Sequence, residues 1–403
     1  MQQGHPYSRI FPSLAFGLLL PIFLCGATPG STDPIKEVLV PIWGEHIRIS
    51  YPAQFLPPSP AAIDDHGIPH FYHQLAKSNY HPLLYSLRQV RRTLKLNDWL
   101  YYQLIEAAIK QTFSHRSKAD RTLTVWFLLA QSGMDVRIGY RAKEVYLYAY
   151  SDEHLFRVPL VNDGGRTYFN LSTQRQAVQE DGAPLYFILF QPNPNGASFR
   201  FGLQSLPLLR PRPEQQQLKF LADGAWQHLE VTVDATMKML MEQYPQLDET
   251  AYLDIPLSAA LERTLIPQLE QLMMGKSPQQ RAAFLAAFTR SAFAYQEDHA
   301  QFGYSRPMSA EEVLLHPYSD CEDRVALYVQ LSKHLLGLPM LVVAFPDHLT
   351  LAVALPQTKG EAVRYENRNY YFCDPTGPAY SQSIGTVPQG YEKSPFRILK
   401  AYP

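Results

Sequence analysis

Hydrophobic positions along the chain fall into two successive blocks, each running from helix-type spacing into strand-type alternation. Residues 35–50, around KEVLVPIWGEHIRIS, alternate as one or two short strands, and LPPSPAAIDDHG after them is a turn-rich linker. Helical spacing then covers HPLLYSLRQVRRTL and DWLYYQLIEAAIKQTF, the second capped by Asn97 or Asp98. A further helix, DRTLTVWFLLAQSG, stops at Gly133. Four alternating segments follow: DVRIGYRA, EVYLYAYS, HLFRVPLV and RTYFNLS. Residues 182–234 are again strand-like, with PLYFILFQ, ASFRFGL and WQHLEVTVD, and LPLLRPRPEQQQ reads as a surface connection.

The second block starts with three helical segments, ATMKMLMEQYPQL, LSAALERTLIPQLEQLM and SPQQRAAFLAAFTRSAFAY. A polar and aromatic loop, QEDHAQFGYSRPMSAEEVLLHPYS, leads into an apolar helix ended by Gly337, and four strands close the chain. The shared order predicts an α+β protein with a degenerate internal duplication. An offset of 203 positions aligns Asp120-Arg121 with Asp323-Arg324 and TYFNLS with YYFCDP. On that offset Lys118 stands where Cys321 stands, and Asn170 where Cys373 stands. The expected division is a degenerate first copy over 31–181, a β-rich connector over 182–234 and a second copy over 235–403.

A chain of 403 residues suffices for two domains, and its formal net charge of -1 gives no basic excess to attract nucleic acid. Arg9, the mostly apolar residues 10–24 and the small residues after them read as an export signal, cleaved after Ala27. The run is short for a bilayer span, and no later segment reaches that length, so no stable transmembrane partner is expected. Lipid attachment at Cys25 would call for a small residue before it, and Leu24 stands there. The expected location is therefore periplasmic or extracellular. Removal of the signal leaves Cys321 and Cys373, enough for one disulfide.

Cys321 opens the apolar helix within SDCEDR. Ser319 and Glu322 have the spacing of a capping box, which would put Cys321 in the first turn, where unpaired amides and the positive dipole end favour a thiolate. Asp320, Glu322 and Asp323 oppose that by like charge, so a nearby imidazolium is required. His348 at the start of the strand HLTLAVALP supplies the candidate base, and Asp374, at the end of NYYFCDP, the group that orients it. If Asp374 faces His348, strand alternation turns its neighbour Cys373 toward the core. That favours a reduced Cys321 over a Cys321–Cys373 disulfide. The backbone N–H of Cys321, with Gln301 or Tyr318 nearby in sequence, is the candidate oxyanion donor. No Cys/His set has zinc spacing and no glycine-rich phosphate loop is present.

From about residue 235 to 390 the chain resembles the transglutaminase-like superfamily, the papain-like group with a Cys-His-Asp triad. The resemblance rests on DCED with Cys321, on the spaced His348 and Asp374, and on FAYQED before the loop. Ser319 departs from the glycine of the GDCED pattern of bacterial members. The resemblance implies a papain-like α+β core in which a helix-borne cysteine packs on an antiparallel sheet. It implies thiol-dependent cleavage or acyl transfer at an amide bond of a protein or peptide. The alternative is a non-catalytic protein-binding module built from two such copies. No cofactor is expected, although calcium, required by some similar peptidases, suits the carboxylates around Cys321.

Overall fold

The computed structural model describes residues 33–172, 184–356, 358–377 and 383–403. The expected export segment 1–27, including Cys25, lies outside them. Among the described residues no helix is long and apolar enough to cross a membrane.

The fold is mixed α+β, and one order of elements occurs twice. Each half opens with a hairpin whose two-residue turn has both residues at positive φ, Trp43-Gly44 in one and Asp223-Gly224 in the other. Such turns match the right-handed twist of the strands they join. The hairpin Ile35–Ile42/Glu45–Pro52 packs on the helices His81–Thr93 and Asp98–Thr112. The hairpin Pro213–Ala222/Ala225–Asp234 packs on Ala259–Leu272 and Pro278–Ser291. The second hairpin thus extends into the stretch expected as a surface connection, because Leu218, Phe220, Leu229 and Val231 alternate onto those helices and are buried. Conversely, ASFRFGL forms no strand, although Phe199 and Phe201 are core residues.

A capped helix follows in each half, Lys118–Gln131 and then Cys321–Leu335, and each leads into a five-stranded antiparallel sheet. The first sheet has the order Leu160–Asp163, Arg166–Asn170, Glu144–Tyr150, Val136–Arg141, Tyr186–Phe187. The second has Ala362–Tyr365, Arg368–Phe372, His348–Val353, Met340–Phe345, Arg397–Tyr402. Strand for strand the connectivity is the same. Lys118 and Cys321 are both first residues of their helices, after the caps Ser117 and Asp320. The expected pairing of Asn170 with Cys373 is shifted by one residue. Leu171 N–H donates to Leu147 O at 2.8 Å and Cys373 N–H to Leu351 O at 2.9 Å, so Leu171 is the counterpart of Cys373. The central hairpins likewise equate Glu144 with His348, both opening their strand.

The cores do not divide at residue 235. Met237, Leu240, Tyr244, Leu247 and Tyr252 join the core of the first half, whereas the hairpin before them joins that of the second. Between these crossing segments sits Glu311, which is 1 % exposed. It accepts hydrogen bonds from Asp234 N at 2.6 Å and from Ser258 N and Oγ, each at 2.7 Å. Deleting this carboxylate strands three donors in a dry site. Glu311→Ala should therefore lower unfolding free energy by about 3 kcal/mol or more, read as the shift in a urea denaturation curve; a change below about 1 kcal/mol would show that water replaces the carboxylate.

Candidate active site

The helix that carries Cys321 begins one residue later than the capping pattern suggested. Ser319 is held in a two-residue strand, Tyr318–Ser319, paired in parallel with Ala294–Tyr295, and its Oγ accepts from Arg324 Nε at 3.1 Å. Asp320 is the cap, and Asp323 completes the box by accepting from Asp320 N at 3.2 Å. Cys321 is consequently the first helical residue rather than the second. Leu327, Tyr328, Leu331 and Leu335 are buried beneath it and fix the helix against the sheet. Gly337 ends the helix at positive φ and donates its N–H to Ser332 O.

His348 opens its strand, as expected, and meets Asp374 just past the end of the neighbouring strand. His348 Nε2 lies 3.6 Å from Asp374 Oδ1 and 3.2 Å from Thr376 Oγ1. Asp374 Oδ1 also accepts from Thr350 Oγ1 at 3.1 Å and from Thr376 N and Oγ1 at 3.0 and 2.7 Å. Burial pushes the Asp374 carboxyl upward, but the bond to His348, its charge and the Thr376 donors outweigh burial and hold it below the usual range. The imidazole stacks on Tyr391, with ring centroids 5.1 Å apart and 15° between planes.

Cys321 is buried, and the backbone amide of Leu349, the residue after His348, favours its thiolate. The thiol itself donates to Glu322 Oε2 at 3.0 Å rather than to His348. Burial, then the Glu322 charge and hydrogen bond, then Asp320 push the thiol well above its ordinary value, and the Leu349 amide offsets this only in part. The expected thiolate-favouring setting is thus reversed, because the sulfur is buried and Glu322 turns toward it. Of the expected oxyanion donors, Tyr318 is exposed and Gln301 carries a buried Oε1 without a hydrogen-bond partner among the described residues. The Cys321 amide belongs to the helix's first turn, where N–H groups have no intrahelical acceptor.

Cys373 faces the other way, as strand alternation requires. It is 1 % exposed, its thiol donates to Tyr328 Oη at 3.3 Å, and burial raises it to about 12. Both cysteines are free. Two arginines that composition did not single out brace the site. Arg290 Nη1 donates to Asp374 O at 2.6 Å. Arg324 donates from Nη1 to Thr376 O and from Nη2 to Phe293 O, at 3.1 and 2.7 Å. Asp374-Pro375-Thr376 is a legible turn motif in which the aspartate and threonine bond locally, and it was the available signal for Thr376.

Asp298, Asp320 and Glu322 each offer an oxygen within 4.8 Å of the others. Asp320 is 2 % exposed, and its Oδ1 has no hydrogen-bond partner among the described residues. Burial and the charges of Asp323, Glu322 and Asp298 push Asp320 strongly upward, and burial raises Asp298 to about 6. An all-oxygen donor set with an unsatisfied member is able to hold a hard metal ion.

The folded chain therefore retains a proton on Asp298 over a pH range where the unfolded chain has lost it, and stability falls as pH rises through that range. His316, held near 4 by burial, acts in the opposite sense across the same window, so the informative quantity is a difference between variants. Asp374 loses its stabilising contribution only at lower pH, below the ordinary carboxylate value. In chelator, Asp298→Asn should gain stability over the native chain between about pH 4 and about pH 7, approaching at most about 3 kcal/mol. Thermal melts across that range check this; a pH-independent difference would contradict it.

Comparison with protein-family models, with curated proteins and with solved structures finds no match to this chain.

Proposed function

We propose that the protein is a thiol enzyme of the transglutaminase-like, papain-like type. In this reading it cleaves, or transfers the acyl part of, an amide bond in an exported protein or peptide, with hydrolysis preferred. The observation that carries it is the His348–Asp374 pair, with its aspartate buried and its histidine opening a strand whose next residue, Leu349, has an amide that favours the Cys321 thiolate. The sulfur attacks the amide carbon as His348 takes the thiol proton. The resulting tetrahedral oxyanion is held by first-turn amides, His348 returns the proton to the departing amine, and a thioester remains. Water, deprotonated by His348, then releases the acid and restores the thiol. Asp374 holds the imidazole in one tautomer and stabilises its charged form.

The matching order of the two sheets supports a duplicated origin for the halves. In this reading Lys118, Glu144 and Ser172 are the counterparts of Cys321, His348 and Asp374, a set with no thiol nucleophile. A second reading follows from the Cys321–Glu322 hydrogen bond. A thiol kept protonated by a carboxylate suits a non-catalytic binding module equally well. A calcium ion on Asp298, Asp320 and Glu322 would distinguish the two, because it would withdraw Glu322 from the sulfur and offset the surrounding negative charge.

Two measurements separate these readings. With chelator present, Cys321 should alkylate slowly at neutral pH; calcium should speed the reaction about tenfold or more, equivalent to lowering the thiol by about one pH unit. In His348→Ala the rate with calcium should fall below that of the native chain, and a native rate unchanged by calcium would favour the binding module. For turnover of labelled peptides, Asp374→Asn should lower kcat by roughly 10²-fold or more at a melting temperature near that of the native chain. Equal turnover would leave at most a Cys–His pair.

A further inference from the structure

A cavity of about 560 Å³ lies away from the thiol, where the two halves meet. Its floor is aromatic. Trp99 and Phe201 come from the first half and Tyr244 and Tyr252 from the crossing segment after residue 235, and each is at most 5 % exposed. The accessible rim is formed by Phe156, Val158 and Tyr304, of which Phe156 is 49 % exposed. A guest therefore meets the rim side chains, which the packed floor holds in place. Phe156 itself is fixed by the short antiparallel pair Leu155–Phe156 with Gln246–Leu247.

The Tyr304 side of the rim has no equivalent in the first half. Between the corresponding helices the first half has only residues 113–117, whereas the second has residues 292–320. The longer loop reaches the first half, where Arg157 sets its guanidinium 4.7 Å from the centre of the Tyr304 ring. Arg157 does so from φ 60°, a backbone region uncommon for a residue other than glycine. Both cations of the walls are thus engaged, Arg157 by that ring and Arg306 by Glu312 at 3.0 Å, and among the described residues no acid lines the cavity. The walls call for an uncharged, apolar guest. A second opening leads from the cavity toward the candidate active site. It shares Phe156, Arg157, Gln246, Tyr304 and Pro307 with the cavity and extends to Glu249 and His299. His299 adjoins Asp298 of the acidic cluster. Glu249 lies near enough to Glu322 for their charges to repel, and Glu322 accepts from the Cys321 thiol.

We propose that this cavity is a subsite for an aromatic side chain of the peptide substrate, placed several residues from the scissile amide. The inference rests on the amide-cleaving reading above, and it gives the half without a thiol a share in recognition. The ring enters between Phe156 and Tyr304 and packs against them edge-to-face or offset, as aromatic pairs prefer. The peptide backbone then follows the second opening toward Cys321. The volume falls in the usual range for ligand sites.

The test uses the full chain carrying Cys321→Ser, so that binding is read without turnover. The probe is N-phenyl-1-naphthylamine, a neutral aromatic dye that brightens in dry surroundings. It is displaced with acetylated, amidated nonapeptides of serine and alanine that carry either one central phenylalanine or alanine in its place. The dye should bind saturably and one to one. The phenylalanine peptide should displace it at a concentration about tenfold or more below that of the alanine peptide, as burial of one such side chain implies. Phe156→Ser and Tyr304→Ser, both on the accessible rim, should each weaken the phenylalanine peptide about fivefold at a melting temperature near that of the native chain. Where the chain with Cys321 intact cleaves that peptide, Phe156→Ser should raise KM by a similar factor and leave kcat unchanged. Selective displacement without any cleavage would support the aromatic site and count against the amide-cleaving reading alone. Absence of saturable dye binding, equal displacement by the two peptides, dye that neither peptide displaces, or displacement unchanged in both rim variants would overturn the proposal, whatever the turnover.

Discussion

One adjacent pair of buried residues, Asp323 and Arg324, holds the start of the Cys321 helix in place. Asp323 accepts from Asp320 N at the cap and from Met308 N at 2.7 Å in the preceding loop. Arg324 reaches the opposite side and donates to Phe293 O and Thr376 O. The first residue joins the Cys321 helix to the loop, and the second joins it to the turn that carries Asp374. Each is at most 2 % exposed, so neither charge can turn to water if its partners leave. In the first half the same pair is tethered differently. Asp120 accepts from Ser59 Oγ at 2.8 Å, and Arg121 donates to Ser114 O and Arg116 O within its own loop. One sequence motif thus ties the helix start to the turn of Asp374 in one half, and to Ser59 and its own loop in the other.

What could be read from the sequence was what depends on local periodicity. A histidine opening an alternating strand and an aspartate just past the end of a later one share a sheet edge if the strands are neighbours, and they are. The facing of Cys373 followed from the same alternation. The cap assignment missed by one residue because Ser319 is drawn into a bridge with Ala294–Tyr295, a contact across more than twenty residues that no local pattern encodes. The orientation of Glu322 was likewise hidden. Its spacing allowed either a backbone cap or a contact with the thiol, and the presence of Asp323 at the capping position decided between them.

The repeat shows a related limit. A constant offset of 203 holds at the helix starts, but the strand hairpins shift by a residue in each direction, and only hydrogen-bond register exposes the shift. Side chains one position apart on a strand point to opposite faces. An alignment that is one residue out therefore compares a core position with a site position. The cavity between the halves was not legible at all, since Trp99 comes from the region expected as the first copy and Tyr244 and Tyr304 from the region expected as the second.

The crossing of segments around residue 235 has a mechanical meaning. The hairpin that ends at Asp234 is rooted in one core, and the helix beginning at Thr236 is rooted in the other. Gln246–Leu247 then pairs with Leu155–Phe156, and Asp254 meets Lys400 and Tyr402 near the far end of the chain. The halves are laced rather than strung on a flexible tether. Pulling them apart would require unpairing strands and withdrawing apolar side chains at the same moment, so the molecule should yield to force or heat as a single unit even though its architecture is written twice.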